Sequence, residues 1–482
     1  MAASFFFYDL ETSGINAREA RIMQFAGQRT DMDLEPLGEP VNVLIKLSPD
    51  VLPEPDAVLL TGITPQQVNA AGITEAEFLK VFEKEISTSD TIFVGFNSVR
   101  FDDEFMRFLR YRNFYDAYDW QWEQGRSKWD LLDVARITRA LKPEGIKWPF
   151  AADGKPTNRL EFLTKINKLD HSNAHDALGD VYATIAVAKL IRTKQKDIFE
   201  HLLRHRDKKT IAGIVETGTP FTYCSGRYPS EFLHTTAAVL LTKGAKGDAL
   251  VYDLRHDPTP FLAMSVEELA EAWKYTRDPD AVRLPVKTIK YNHCPAVVPG
   301  FPKDQATQER VQLNSETVTR NLQLLKAGQA DFAEKMNEVI VRADAERTKA
   351  QIAIVDDELT VDSRLYDGFF DDQDKIVMRA VRAAEAAELD DYSDSFKDDR
   401  LKSLLSLYKA RNYPDALSSE ERAAWDSFCA HKLFDGGQSS RLARYFTRLQ
   451  ECAQLPQYKS KRFLIEELKL YGESIMPAEP AA

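Results

Sequence analysis

Residues 4–14 read SFFFYDLETSG, and this stretch decides how the first part of the chain is read. Phe5-Phe6-Phe7-Tyr8 is a short apolar run with the length and composition of a buried strand. It ends in Asp9 and Glu11, two residues apart. Side chains alternate along a strand, so both carboxylates leave the same face. An acid pair at a strand end is common on protein surfaces, so its meaning depends on what the rest of the chain supplies.

Working outward, residues 22–29 and 41–47 read as further strands. Residues 91–97 (TIFVGFN) read as another, followed by a helix around 102–111. Thr64-Pro65 is a helix start, with a capping residue ahead of a first-turn proline. Residues 174–190 form an alanine-rich helical pattern. Strands first, then strands alternating with helices, predict a mixed α/β sheet across residues 1–195. The pattern turns to β between about 215 and 300, with short strands at 237–242, 248–254 and 286–292. A helix opened by the capping box Ser265-x-x-Glu268 interrupts them. From about 305 onward nearly everything reads helical, with the acidic segment 388–399 as an exposed loop. No internal repeat is visible.

Length agrees with several domains, since 482 residues exceed what one core ordinarily spans. Hydrophobic residues at 44% and charged residues at 29% exclude a mostly disordered chain. No apolar run approaches the roughly 18–20 residues of a membrane span. Asp9 and Glu11 cut the first apolar stretch short, so no secretory leader is expected. Cys224, Cys294, Cys429 and Cys452 form no CxxC pair, which predicts reduced thiols and a cytoplasmic protein. The net charge of −12 argues against a general polyanion coat, yet permits a local basic groove.

Two more acidic elements give the first pair its meaning. In Gly95-Phe96-Asn97-Ser98-Val99-Arg100-Phe101-Asp102 a strand ends, the chain turns, and Asp102 starts a helix. Its neighbour Asp103 points about 100° away, so only one of the two can face the first pair. In SNAHDALGDVYATIAVAKL, His175 and Asp180 form H-x4-D at the start of a helix. In order the chain presents D-x-E, N-x-x-x-F-D and H-x4-D. Four carboxylates brought together repel unless cations neutralise them. Hard oxygen donors select Mg²⁺ or Mn²⁺ rather than zinc. A pair of such ions roughly 3.5–4 Å apart suits phosphoryl displacement. A neutral imidazole then has a role as general base.

This pattern resembles the DEDDh branch of the DEDD 3′→5′ exonucleases, which have a ribonuclease H-like fold. By that resemblance Asp9, Glu11, Asp102 and Asp180 are metal ligands and His175 is the general base. His171 does not match the pattern and reads as structural. FYDLETSG, TGITPQQV, GFNSVRFDDEF, SKWDLLDVARI and LKPEGIKWP, with the later VKTIKYNHCP, LYDGFFDDQD and LLSLYKARNYPDAL, are similar to the exonuclease I family across nearly the whole chain. The resemblance implies an exonuclease domain at 1–195, an SH3-like β-barrel domain with a helical insert at 196–350, and an all-helical C-terminal domain at 351–482. It implies Mg²⁺-dependent, processive 3′→5′ degradation of single-stranded DNA to 5′-mononucleotides, in repair and recombination. Two ions per site are expected, with Mn²⁺ able to substitute. A monomer is expected, docking the C-terminal tail of the single-strand-binding protein through Lys142 or the basic stretch 192–209.

Trp120, Trp122, Trp129 and Trp148 fall close together, preceded by Tyr111, Tyr115 and Tyr118 and interleaved with arginines and lysines. Aromatic side chains among cations suit a single-strand groove, where bases stack and phosphates meet positive charge. The alternative is that the rings fill a core and the cations cover it. By the resemblance, DNA-contact positions fall at Arg107, Tyr118, Trp122, Arg136 and Lys142, Arg159 lies near the terminal phosphate, and Glu11 also binds substrate. Competing readings are an RNA-processing or proofreading exonuclease with the same site, an inactive nuclease-like scaffold, and a small-nucleotide phosphodiesterase. Residues 1–195 alone are expected to be active but distributive.

Overall fold

A computed structural model of the chain describes residues 3–170, 176–244, 247–274, 276, 278, 281–352 and 358–476. By compactness the chain divides into two units, each drawn from separate stretches of sequence. One comprises Met1–Ser127, Ser172–Tyr182 and Asp357–Ala482, the other Lys128–His171 and Ala183–Asp356.

In the first unit, β1 (Ser4–Thr12), β2 (Ile22–Thr30), β3 (Val41–Leu44) and β4 (Thr91–Gly95) lie in the order β3-β2-β1-β4. β1 runs antiparallel to β2 and parallel to β4, pairing Ser4–Phe7 with Thr91–Val94. Phe6, Tyr8 and Leu10 share one face of β1 and enter a core with Phe25, Phe78, Phe82, Phe93 and Trp120. The Trp120 ring meets Phe93 at 4.9 Å and Tyr8 at 6.0 Å between centroids, both edge-on. Such pairs add to the apolar burial that drives folding. Phe5 and Phe7, on the opposite face, are buried as well, so the strand is covered on both sides. Thr64 caps the helix Pro65–Ala71 as its sequence predicts, in a capping box with Gln67.

That core does not close within the N-terminal part of the chain. It continues through Val361, Leu365, Met378, Val381, Phe396, Leu401, Leu404, Tyr408 and Trp425. Phe114 stacks on Phe396 and meets Tyr408 edge-on. A second cluster joins Val58 and Leu59 to Tyr445, Leu449, Leu464 and Leu468. Residues 1–195 alone would expose much of this surface, so the expectation of a self-sufficient nuclease fragment does not fit the packing. A buried ionic network reinforces the join. Arg411 bridges Asp50 and Asp362 at 2.7 and 2.8 Å, Lys432 reaches Asp50 at 2.5 Å, and Arg21 reaches Asp362 at 2.7 Å. Burial opposes charge on both carboxyls, but Arg411, Lys432 and Arg21 outweigh it and hold them well below the usual carboxylate range. The acidic segment expected to be a loop is instead 3₁₀-helical over Ala386–Ser395, anchored by buried Leu389.

β5 (Ser127–Asp130) leads into the second unit. There β6 (Phe221–Cys224), β7 (Thr235–Lys243), β8 (Ala249–Asp253), β9 (Val286–Ile289) and β10 (Ala296–Pro299) form an antiparallel sheet ordered β10-β6-β7-β8-β9. The 38-residue helix Ser315–Ile352 lays Leu325, Phe332, Met336 and Val339 against Val239, Leu241, Leu250 and Tyr252. Gln329 Nε2 donates to the carbonyls of Leu240 and Leu241, where β7 bulges. Ser265 and Glu268 form the predicted capping box. None of the four cysteines is in a disulfide. No helix among the described residues is long and apolar enough to cross a membrane.

Candidate active site

Asp9 and Glu11 continue the face that begins with Phe5 and Phe7, as the strand alternation requires. β4 pairs with β1 only as far as Phe7, so the two acids emerge beyond the carboxyl end of the parallel pair. That is where ligand sites form in parallel sheets, because the neighbouring strand no longer covers the backbone. On the antiparallel side β2 continues, placing Ala26 opposite Asp9 and Gln24 opposite Glu11.

The turn after β4 delivers the third acid. Asn97 takes a left-handed conformation (φ 71°), a 3₁₀ turn spans Ser98–Arg100, and the helix Asp102–Arg112 begins. Gly95 makes this turn possible, since a Cβ there would lie 2.4 Å from Ser98 Cβ. Both acids at the helix start are buried, Asp102 at 4% and Asp103 at 1% exposed. Tyr8 settles which of them serves which side. Its hydroxyl donates to Asp103 Oδ1 at 2.7 Å from the core face of β1, and Arg107 stands 3.8 Å from the same carboxylate. Asp103 is thereby a structural acid, and Asp102 is the one whose charge acts most strongly on Asp9.

Asp180 comes from the first turn of the helix Ala177–Lys194. One ligand oxygen each from Asp9, Glu11 and Asp180 lies within 4.8 Å of the others. Asp102 stands outside that triplet, but its charge is felt by both Asp9 and Glu11. A fifth acid not anticipated from sequence, Asp176, accepts from Gln24 Nε2 at 3.3 Å and adds to the same field. Its signal was present in the H-D pair at 175–176. His175 and His171 lie outside the described residues.

Burial, followed by Asp102, Glu11, Asp180 and Asp176, pushes the Asp9 carboxyl well above the usual range. Burial and then Asp180, Asp102 and Asp176 push Glu11 up to about 8. No cation figures among the charges that dominate either shift. A crowded all-oxygen donor set that binds protons this readily fits a hard divalent cation, whose charge reverses the same repulsion. Asp9, Glu11 and Asp180 are the residues placed to hold it, with Asp102 beside them.

The aromatic-basic cluster divides. Trp120, Tyr111 and Tyr115 are buried in the core, and Trp129 packs edge-on against Phe199 in the second unit. Arg110 is fully buried between Glu83 and Asp119, and Arg112 pairs with Glu75 at 2.8 Å. The core reading therefore holds for most of these residues, because rings near the sheet gain more from packing than from water. Arg107 is also buried, bound by Glu104 and stacked 5.6 Å from the Tyr118 ring centre. Tyr118 is half-buried and Trp122 is 63% exposed. In the second unit Arg136 is held by Asp133 at 2.7 Å, Lys142 is exposed, and Arg159 is exposed with Glu161 at 3.5 Å. His201, half-buried, faces the Val297 carbonyl at 3.2 Å.

Three family models match in succession: Exonuclease over residues 6–188, Exonuclease I SH3-like domain over 206–342, and Exonuclease I C-terminal domain over 359–475. The chain is 39% identical to exodeoxyribonuclease I of Haemophilus influenzae over 439 residues, 89% of this chain and 90% of the relative. A solved exonuclease I from Methylocaldum szegediense superimposes with a TM-score of 0.90 at 36% identity, covering 99% of this chain and all of the other. Escherichia coli exonuclease I in complex with a dA16 oligonucleotide gives 0.91 at 36%, covering 98% and 100%. The E. coli enzyme has also been solved with zinc and single-stranded DNA, and an SSB/exonuclease I structure holds the inhibitor CFAM. With its acids gathered at the end of β1 and all three domain models matched in order, the chain belongs to the exonuclease I family of hydrolases.

Proposed function

We propose that this protein hydrolyses single-stranded DNA from its 3′ end, releasing 5′-mononucleotides with two Mg²⁺ ions at the Asp9, Glu11, Asp102 and Asp180 site. The observation that carries the reading is the convergence of Asp9, Glu11 and Asp180 within 4.8 Å, with Asp102 adding its charge. The cations, when bound, supply stabilisation for the attacking and leaving oxygens of an in-line displacement. The protein's part is to hold the four carboxylates against their mutual repulsion, through a strand covered on both faces and a helix start fixed by Tyr8 and Asp103. His175 takes the proton of the attacking water. Glu11 and Arg159 bind the terminal nucleotide, and Arg107, Tyr118, Trp122, Arg136 and Lys142 hold the strand behind it.

The protein acts in the cytoplasm as a monomer, in repair and recombination, where single strands are already coated. The acidic, Phe-ended tail of the single-strand-binding protein docks at a local basic site near Lys142 or the 192–209 stretch. Lys142 is exposed at the end of the helix Leu131–Leu141, open to such a contact. A short peptide of this kind needs a cation for its carboxylate and an apolar pocket for its last ring.

The test is incubation with end-labelled single-stranded DNA, duplex DNA and RNA. Single-stranded DNA should be shortened from the 3′ end, activity should vanish with EDTA, and Asp180→Ala should bind DNA without cutting it. Activity surviving EDTA would remove the metal-dependent reading, and preference for RNA would favour the RNA-processing alternative.

A further inference from the structure

Gln24 lies on β2 directly opposite Glu11, and facing residues of an antiparallel pair share a face of the sheet. It is 6% exposed, so its amide has to find partners within the protein. Nε2 donates twice, to Asn42 Oδ1 at 2.9 Å and to Asp176 Oδ1 at 3.3 Å. Turning the amide over would set an oxygen against the Asp176 carboxylate, which only accepts. The donors therefore stay on that side, and Oε1 is left buried without a partner among the described residues. One side chain thus joins β2, β3 and the residue that precedes the helix of Asp180.

Asp176 has a second link to that helix. Its carbonyl accepts from Asp180 N at 3.0 Å, at the start of Ala177–Lys194. Residues four apart stand one above the other on a helix, so Asp176 and Asp180 look the same way. Ala177 and Val181, one position further on, are both buried and hold the apolar side. Apolar contacts are non-directional and set how deeply the helix start sits. A hydrogen bond from β2 is directional, and fixes which way the Asp180 face is turned.

The two acids need such a hold. After burial, Asp180 is the strongest influence raising the Glu11 carboxyl, so the pair is pushed apart by its own charge. The β1–β2 ladder gives out at the same point: it is regular as far as Glu11 and Gln24 and shifts register between Glu11 and Thr12. We propose that Gln24 and Asp176 are positioning residues, a single latch that sets the Asp180 carboxylate against Glu11 and so shapes the cation site. The cation is held by Glu11 and Asp180, and the latch fixes where their oxygens stand. This rests on the reading of those two acids as metal ligands.

The experiment titrates the full chain with Mn²⁺ alone by calorimetry, and measures kcat and KM on end-labelled single-stranded DNA with Mg²⁺. Gln24→Met keeps the length of the side chain and removes both donors, while Asp176→Ala removes the acceptor. Each should weaken Mn²⁺ binding and lower kcat by roughly 10- to 100-fold, the usual effect of losing a group that orients a metal ligand, with KM little changed. Asp176→Asn keeps an oxygen for Gln24 while discarding the charge, and should recover most of the loss. The double variant Gln24→Met/Asp176→Ala should be no worse than the poorer single one, because both break the same link. Wild-type Mn²⁺ affinity from Gln24→Met, an Asp176→Asn loss equal to that of Asp176→Ala, or losses that multiply in the double variant would each overturn the latch. A lower melting temperature with wild-type Mn²⁺ affinity would mark a bond that serves folding alone and refute it as well. Mn²⁺ affinity untouched by Asp180→Ala would overturn the ligand reading itself, and the latch with it.

Discussion

Removing the Arg411 guanidinium tests the claim that the C-terminal helices are part of the nuclease core. In Arg411→Met the volume is roughly kept while one of three cations disappears. Asp50, whose side chain is fully buried, then keeps Lys432 and the Ser48 hydroxyl, and Asp362 keeps Arg21 with Lys432 at 3.6 Å. Four hydrogen bonds are lost together, two to each carboxylate. Breaking a buried ion pair by removing one partner costs about 3–5 kcal/mol, against less than about 1 kcal/mol for an exposed pair. The deficit should appear in urea unfolding at pH 7, followed by the fluorescence of buried Trp120 and Trp425. The sign of the pH dependence follows from the depressed carboxyls. Their contribution is fully present above the unfolded value of about 4 and is lost as pH falls through the folded values. The gap between wild type and variant should thus be constant from neutrality to about pH 5 and narrow only in strong acid. A variant within about 1 kcal/mol of wild type at pH 7, or a gap that widens on acidification, would refute the argument.

Further outcomes follow from the site and the packing. His175→Ala should lower the turnover rate by about 10²–10⁴, the usual worth of a general base, with DNA affinity kept in a gel-shift assay. Gly95→Ala should drive a Cβ into Ser98 and displace the start of the Asp102 helix. It should cost about 1–3 kcal/mol in thermal unfolding, with a fall in rate larger than any change in KM. A fragment of residues 1–195, lacking Leu401, Leu404 and Tyr408 from the core, should be insoluble or molten, with weak near-ultraviolet circular dichroism. Soluble, cooperatively unfolding fragment would contradict the shared core.

The sequence by itself determined the parts of this protein that depend on local geometry. Period two along β1 puts Asp9 and Glu11 on one face whatever lies around them, and the residue types alone select hard cations. The helix cap at Thr64 and the capping box at Ser265 are equally local, and both formed. The three family regions were legible because their motifs are contiguous in the chain. Choices between neighbours belonged to the tertiary structure. Asp102 and Asp103 are equivalent by propensity, and only a tyrosine 95 positions away separates them. Trp120 and Trp122 sit in the same stretch, yet one fills the core and the other faces solvent because the sheet covers one and not the other. Phe369 and Phe370 divide in the same way, by what Tyr111 and Arg400 can reach. The union of the first sheet with helices more than two hundred residues later was invisible for the same reason. Hydrophobic patterning says that a face must be buried, but the partner is set by long-range packing that no local window contains.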